Sequence, residues 1–122
     1  MVRGGLVGIR LLAGLILVQA FLAGRHLFGS WSITVHGVVG NAIFALAAAV
    51  AVALTLARLP PLRVAAAWLL VALLTAQVGL GYAGRSIPEA AAWHVPLGVA
   101  AFGLAVWLST HPRAEPVPRT TP

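Results

Sequence analysis

Two glutamines and two histidines stand out against a background of Ala, Leu, Val and Gly. Gln19 and Gln77 are the only glutamines, and each is followed 17 residues later by a histidine, His36 and His94. Both histidines lie in long stretches without Asp, Glu, Lys or Arg. In an apolar, membrane-like setting an ionisable side chain normally faces a bundle interior and is a functional-site candidate by default. Three chemistries suit such a pair. The rings could hydrogen-bond to the glutamines and join helices, a contact worth about 0.6–2 kcal/mol inside a membrane. They could ligate a bare metal ion, or they could be the two axial ligands of a haem iron.

A bare zinc or copper ion wants three or four donors from His, Cys or carboxylate. The chain has no Cys, and its only acids are Glu89 and Glu115, so two histidines alone would leave such an ion underliganded. Haem brings four nitrogens of its own and asks the protein for one or two ligands. The neighbouring residues favour it further. His36-x3-Gly40-x3-Phe44 and His94-x3-Gly98-x3-Phe102 place each Gly and each Phe one and two turns beyond the His on roughly one face. A Gly there leaves room for a flat macrocycle, and a Phe below can pack on its edge; close packing of helices over small residues is the other use of such glycines. Arg25 and Arg85 could pair with the propionates of a haem or simply anchor the chain at the interface. The expected cofactor is one b-type haem, ligated by His36 and His94 and bound also by Gln19, Gln77, Gly40, Gly98, Phe44, Phe102, Arg25 and Arg85. His26 and His111 have no counterpart in the pattern and are expected to be solvated. Thr34 and Asn41 are expected to make helix–helix hydrogen bonds, and Pro96 to sit in the first turns of its helix, where a missing N–H costs little.

The elements that must position these residues follow from composition. Of 122 residues 61% are hydrophobic and 8% charged, and the mean hydropathy is +0.99. A soluble domain of this size would need far more polar surface, since about 25% of residues are charged in an average chain. The net charge of +6 comes from eight arginines and no lysine. They are scattered singly, without the clustered basic face that nucleic-acid binding requires, so no nucleic-acid partner is expected. The fold class is all-α, an integral membrane four-helix bundle contacting the lipid bilayer.

The charge-free runs 26–57, 64–84 and 90–112 each reach the roughly 20 residues needed to cross about 30 Å of hydrocarbon. The first span is shorter, 11–24, and must extend back past Arg10, which can snorkel to the headgroups. A cleaved signal peptide is the alternative for this segment, but Arg10 would interrupt its apolar region and Gln19 belongs to the repeat described next. The spacing predicts helices near 5–26, 31–57, 63–84 and 90–110, in a bundle over 1–111. Turns are expected at Gly29-Ser30, Pro60-Pro61 and Ser86-Ile87-Pro88. A disordered tail is expected over 112–122, with four prolines in eleven residues.

Sliding the sequence by 58 positions aligns the first hairpin with the second. Leu12, Leu15, Gln19, Leu22 and His36 fall on Leu70, Leu73, Gln77, Leu80 and His94, and Gly40 and Phe44 fall on Gly98 and Phe102. Matched Leu is cheap here, whereas matched Gln and His are not. The bundle therefore reads as a duplicated helical hairpin, with Gln19, His36, Gln77 and His94 at one level, on the order of 10 Å below one surface by helical rise. With both termini cytoplasmic, Arg3, Arg10, Arg58, Arg63, Arg113 and Arg119 lie inside and only Arg25 and Arg85 outside. Trp31 and Trp93 then mark the outer interface, Trp68 and Trp107 the inner one. Richness in Ala, Arg, Gly and Val without Lys suggests a bacterial genome, and hence the bacterial inner membrane.

Gln-x2-Leu in one helix, an outer loop, then His-x3-Gly in the next, duplicated, resembles one four-helix half of the haem A synthase family. It is more similar still to small single-bundle bacterial membrane proteins of unknown function with the same pattern. The likeness covers roughly residues 10 to 105. It implies a b-type haem between His36 and His94 near the outer face. Haem A synthases have eight helices and an acidic catalytic residue in an outer loop, where this chain offers only Glu89, so synthase activity is not implied. The expected function is electron transfer, as a protein or subunit exchanging electrons with a quinone or a redox partner. A cofactor-free structural or assembly subunit is the alternative. A proton-coupled exporter lacks its membrane carboxylate, and no catalytic nucleophile–base pair can be assembled, so an enzyme is the less favoured class.

Overall fold

The structure, a computed structural model, describes residues 2–29 and 31–110. Four helices account for nearly all of them: α1 (Val2–Leu27), α2 (Ile33–Leu56), α3 (Pro61–Ala83) and α4 (Pro88–Thr110). Each is long and apolar enough to cross a membrane, and the chain is a multi-pass, all-α four-helix bundle. Uninterrupted runs of Ala, Leu and Val supply the helical propensity; the ends are set by local chemistry. Gly29 follows α1 where a Cβ would lie 2.6 Å from the Arg25 carbonyl oxygen, so the chain can turn there only on a residue without one. Ser32 caps α2 by accepting a hydrogen bond from the Thr34 N–H at 3.1 Å. α2 stops where Arg58 enters the left-handed region at φ 51°, a position that usually belongs to Gly.

Two prolines expected in turns instead open helices. Pro61 and Pro88 are the first residues of α3 and α4, because the first N–H groups of a helix have no partner to lose and the proline φ is already helical. Pro96, expected among the first turns of α4, is the ninth residue of that helix. It cannot donate to the Ala92 carbonyl, so its missing N–H falls in the helix interior. His111 and the expected tail lie outside the described residues.

The helices pack as a square. Neighbours around it are α1–α2, α2–α3, α3–α4 and α4–α1, whereas the diagonal pairs α1–α3 and α2–α4 do not approach at backbone level among the described residues. Buried side chains concentrate in one half. Ile9, Leu12 and Ile16 of α1 meet Ile43, Ala47, Val50, Ala51 and Leu54 of α2, together with Ala66, Ala67, Leu70 and Leu74 of α3 and Ala101, Ala105 and Leu108 of α4. This core runs to the end that carries the α2–α3 connection, where Arg63, expected among the interfacial arginines, is also buried. Toward the other end, where the α1–α2 and α3–α4 connections lie side by side, Leu22 is the only further fully buried side chain described. That paired-loop end holds the glutamines and histidines.

Candidate functional site

The duplicated hairpin repeats one polar contact twice. Gln19 Nε2 donates to the His36 carbonyl oxygen at 2.7 Å, and Gln77 Nε2 donates to the His94 carbonyl oxygen, also at 2.7 Å. Each glutamine thus ties its helix to the next through backbone and leaves the imidazole alone. A helical carbonyl has a second lone pair for such a donor, but the side chain four residues on usually stands over it. Here those residues are Gly40 and Gly98. A Cβ on Gly40 would lie 2.8 Å from Gln19 Nε2; on Gly98 it would lie 3.6 Å from Gln77 Oε1. The space beside Gly40 is taken by Gln19, which accounts for that glycine without a ligand, whereas a Cβ on Gly98 would make only ordinary contact with Gln77.

The two rings meet across the α2–α4 diagonal. Their centres are 6.0 Å apart and their planes are inclined by 64°. Nδ1 of His36, Nδ1 of His94 and Oε1 of Gln19 are buried without a hydrogen-bond partner in the protein. An unmade hydrogen bond at a buried polar atom costs about 1–3 kcal/mol, so three such atoms in one layer mark a place where a partner is expected. Among the described residues no third His, Cys, Asp or Glu joins the pair. Gly81 of α3 packs against the His94 ring, where its Cβ would stand 3.2 Å from Cε1. Sequence reading passed over Gly81 because its repeat counterpart is Ala23 and glycine is common in this chain.

Other expected site residues are distributed around this layer. Phe44 and Phe102 are half-buried and pack on the core, between it and the histidines along α2 and α4. Arg85 reaches back toward α2: its Nη2 is 3.7 Å from where a Cβ of Gly37 would be, next in sequence to His36. Its guanidinium lies over the Tyr82 ring at 4.7 Å. Arg25 instead sits at the α1–α2 connection, 5.5 Å over Trp31, and Trp31 also meets Phe21 edge-to-face at 6.2 Å. His26, expected to be solvated, is half-buried with Nδ1 3.0 Å from the Trp31 carbonyl oxygen. A carbonyl only accepts, so Nδ1 carries the proton. Asn41 joins helices as expected, donating through Nδ2 to the Tyr82 hydroxyl at 3.2 Å. Thr34 does not; its hydroxyl accepts from Ser32 Oγ at 3.0 Å within the α2 cap.

No family model, no curated protein and no solved structure matches this chain.

Proposed function

We propose that the chain is a membrane b-type haem-binding protein, an electron-transfer protein or subunit, holding one haem between His36 and His94. The observation that carries this reading is the pair of imidazoles that meet edge-on with buried, unpartnered Nδ1 atoms, while the two glutamines of the same layer bind backbone. Had the histidines served as interhelical glue, glutamine–imidazole bonds would be the ones expected. The ring centres stand 6.0 Å apart with planes inclined by 64°, an edge-on contact that brings both imidazoles to one place. His36 and His94 would hold a haem iron, which brings four nitrogens of its own and takes one or two ligands from the protein. When bound, a haem supplies a one-electron redox centre.

The chain's own residues do the positioning. Gln19 and Gln77 hold the backbone of each histidine against the preceding helix, and Gly81 makes room for the His94 ring. The buried core lies in the opposite half of the bundle. Room for a macrocycle must come from the paired-loop half, where side chains other than Leu22 are partly buried or exposed among the described residues. Partners have to reach that half, and a membrane-dissolved quinone or a partner subunit are the classes that can. Arginine bias supports this end being outside and both termini inside, and richness in Ala, Arg, Gly and Val without Lys supports the bacterial inner membrane.

Absorption spectra of the detergent-purified protein, oxidised and then dithionite-reduced, together with a pyridine haemochrome assay, test the reading. The expected result is a sharp reduced α-band with about one haem b per chain, as one axial pair requires. His36→Ala and His94→Ala should each abolish the Soret band, and an unchanged spectrum in both would sink the assignment. A colourless protein from haem-supplied cells would favour a cofactor-free structural or assembly subunit. That second reading draws on the two glutamine–carbonyl bonds, which join helices with no ligand.

A further inference from the structure

The duplication supplies an internal control. A shift of 58 positions makes the groove between α2 and α3 equivalent to the groove between α4 and α1, so a polar residue found in only one of them needs its own explanation. The α4/α1 groove carries Val95, Val99, Gly24 and Leu27. Its Val95, Val99 and Leu27 are 66%, 68% and 70% exposed, as ordinary lipid-facing surface would be. At the matching places the α2/α3 groove carries Gly37, Asn41, Tyr82 and Arg85.

These side chains form two tiers. Arg85 lies at the level of Gly37, and the Asn41–Tyr82 hydrogen bond lies at the level of Asn41. Gly37 and Asn41 are four residues apart on one face of α2, so the tiers are separated by about 6 Å along the helix. Asn41, Tyr82 and Arg85 are all exposed, so the cluster opens sideways toward lipid and not into the histidine layer. It is also rich in unused donors. Tyr82 accepts from Asn41 and keeps its own hydroxyl proton; Asn41 keeps a second amide proton; Arg85 has five N–H groups and nothing to accept with. Among the described residues Arg85 has no carboxylate partner, only the Tyr82 ring. An uncompensated cation above a donor-bearing amide–phenol pair calls for an oxyanion above neutral acceptors.

We infer that the α2/α3 groove is a binding site for one anionic phospholipid. Its phosphate lies on Arg85, whose planar guanidinium suits bidentate pairing with phosphate. Its ester carbonyl region accepts from Tyr82 and Asn41 one tier deeper, and the acyl chains follow the apolar groove beyond. Free phosphate could satisfy the first tier but not the second, which lies within the spanning segments, where only a membrane-dissolved molecule arrives. None of its three side chains is an iron ligand in the haem reading, and Arg85, also a candidate partner for a propionate there, is the one residue the two readings share.

The test uses the full-length purified chain in detergent with phosphatidylglycerol or phosphatidylcholine, bound lipid being counted by native mass spectrometry. One phosphatidylglycerol per chain should be retained in preference to phosphatidylcholine. Arg85→Gln and Asn41→Val, the latter copying the repeat counterpart, should each lower retention about tenfold, as loss of one strong hydrogen bond predicts. Tyr82→Phe, the mildest change, should lower it less, with helical circular dichroism unaltered in all three. Equal retention of both lipids, no loss in the variants, or competition by millimolar inorganic phosphate alone would overturn the proposal. So would displacement of the lipid on haem loading, which would hand Arg85 to a cofactor carboxylate.

Discussion

Gln19 and Gln77 each had two possible partners on the neighbouring histidine, and both chose the carbonyl. In the first copy the choice rests on glycine at the fourth residue after the histidine; the second copy is looser. Replacing Gly98 by Ala puts a Cβ at ordinary van der Waals distance from Gln77, so the usual gain of about 0.5–1 kcal/mol for Ala over Gly in a helix should appear. Replacing Gly40 by Ala puts a Cβ 2.8 Å from Gln19 Nε2 and must push that side chain away. The lost bond, about 0.6 kcal/mol by membrane-protein averages, should cancel the helix gain. In a Gln19→Ala background, Gly40→Ala should become stabilising. Unfolding midpoints in mixed micelles check all three; additive effects would mean that Gln19 does not occupy the space above Gly40. The rarity of Gln and His was visible in the sequence. Which oxygen each glutamine meets was not, because a flexible side chain's partner depends on helix separation.

Arg58 ends α2 at φ 51°, where an L side chain is strained by about 1 kcal/mol. Arg58→Gly should therefore raise stability by about that amount, measured by thermal unfolding in detergent. The α1–α2 contact is tight at Gly8, where a Cβ would stand 2.7 Å from Val50 Cγ2. Val50 is buried and β-branched, with few rotamers to escape into. Gly8→Ala should cost about 1–3 kcal/mol by overpacking, and a neutral outcome in the same assay would show that the two helices can separate. The four helices were legible from charge-free runs, and their ends were less so. Pro61 and Pro88 read as breakers in one dimension, yet a proline can equally begin a helix, and only the direction of the following chain decides which.

For the molecule as a whole, the division between a packed half and a loosely packed half should be visible in stability. The core lies toward the α2–α3 end, away from the histidines. Leu54, 1% exposed within that core, should cost roughly 2–4 kcal/mol when changed to Ala, because the cavity cannot refill. His36→Ala and His94→Ala should leave the haem-free protein within about 1 kcal/mol of wild type, since each removes an unpartnered polar atom as well as packing. Paired unfolding and absorption measurements separate the two effects. Loss of colour with the fold retained is the expected result, whereas unfolding of both histidine variants would make that layer structural.

The sequence by itself determined four apolar spans, their duplication, and the presence of one His–Gln pair in each copy. Those are local properties, set by the composition of each run and by the rarity of a few residue types. Only the tertiary structure decided that α2 and α4 lie on a diagonal, that the two imidazoles meet edge-on at 6.0 Å, and that Arg85 reaches back toward α2. Such distances are set by the packing of many small side chains across four interfaces. A shift of one ångström at any of them moves a ring or a guanidinium to a different partner, and no single run of residues contains that information.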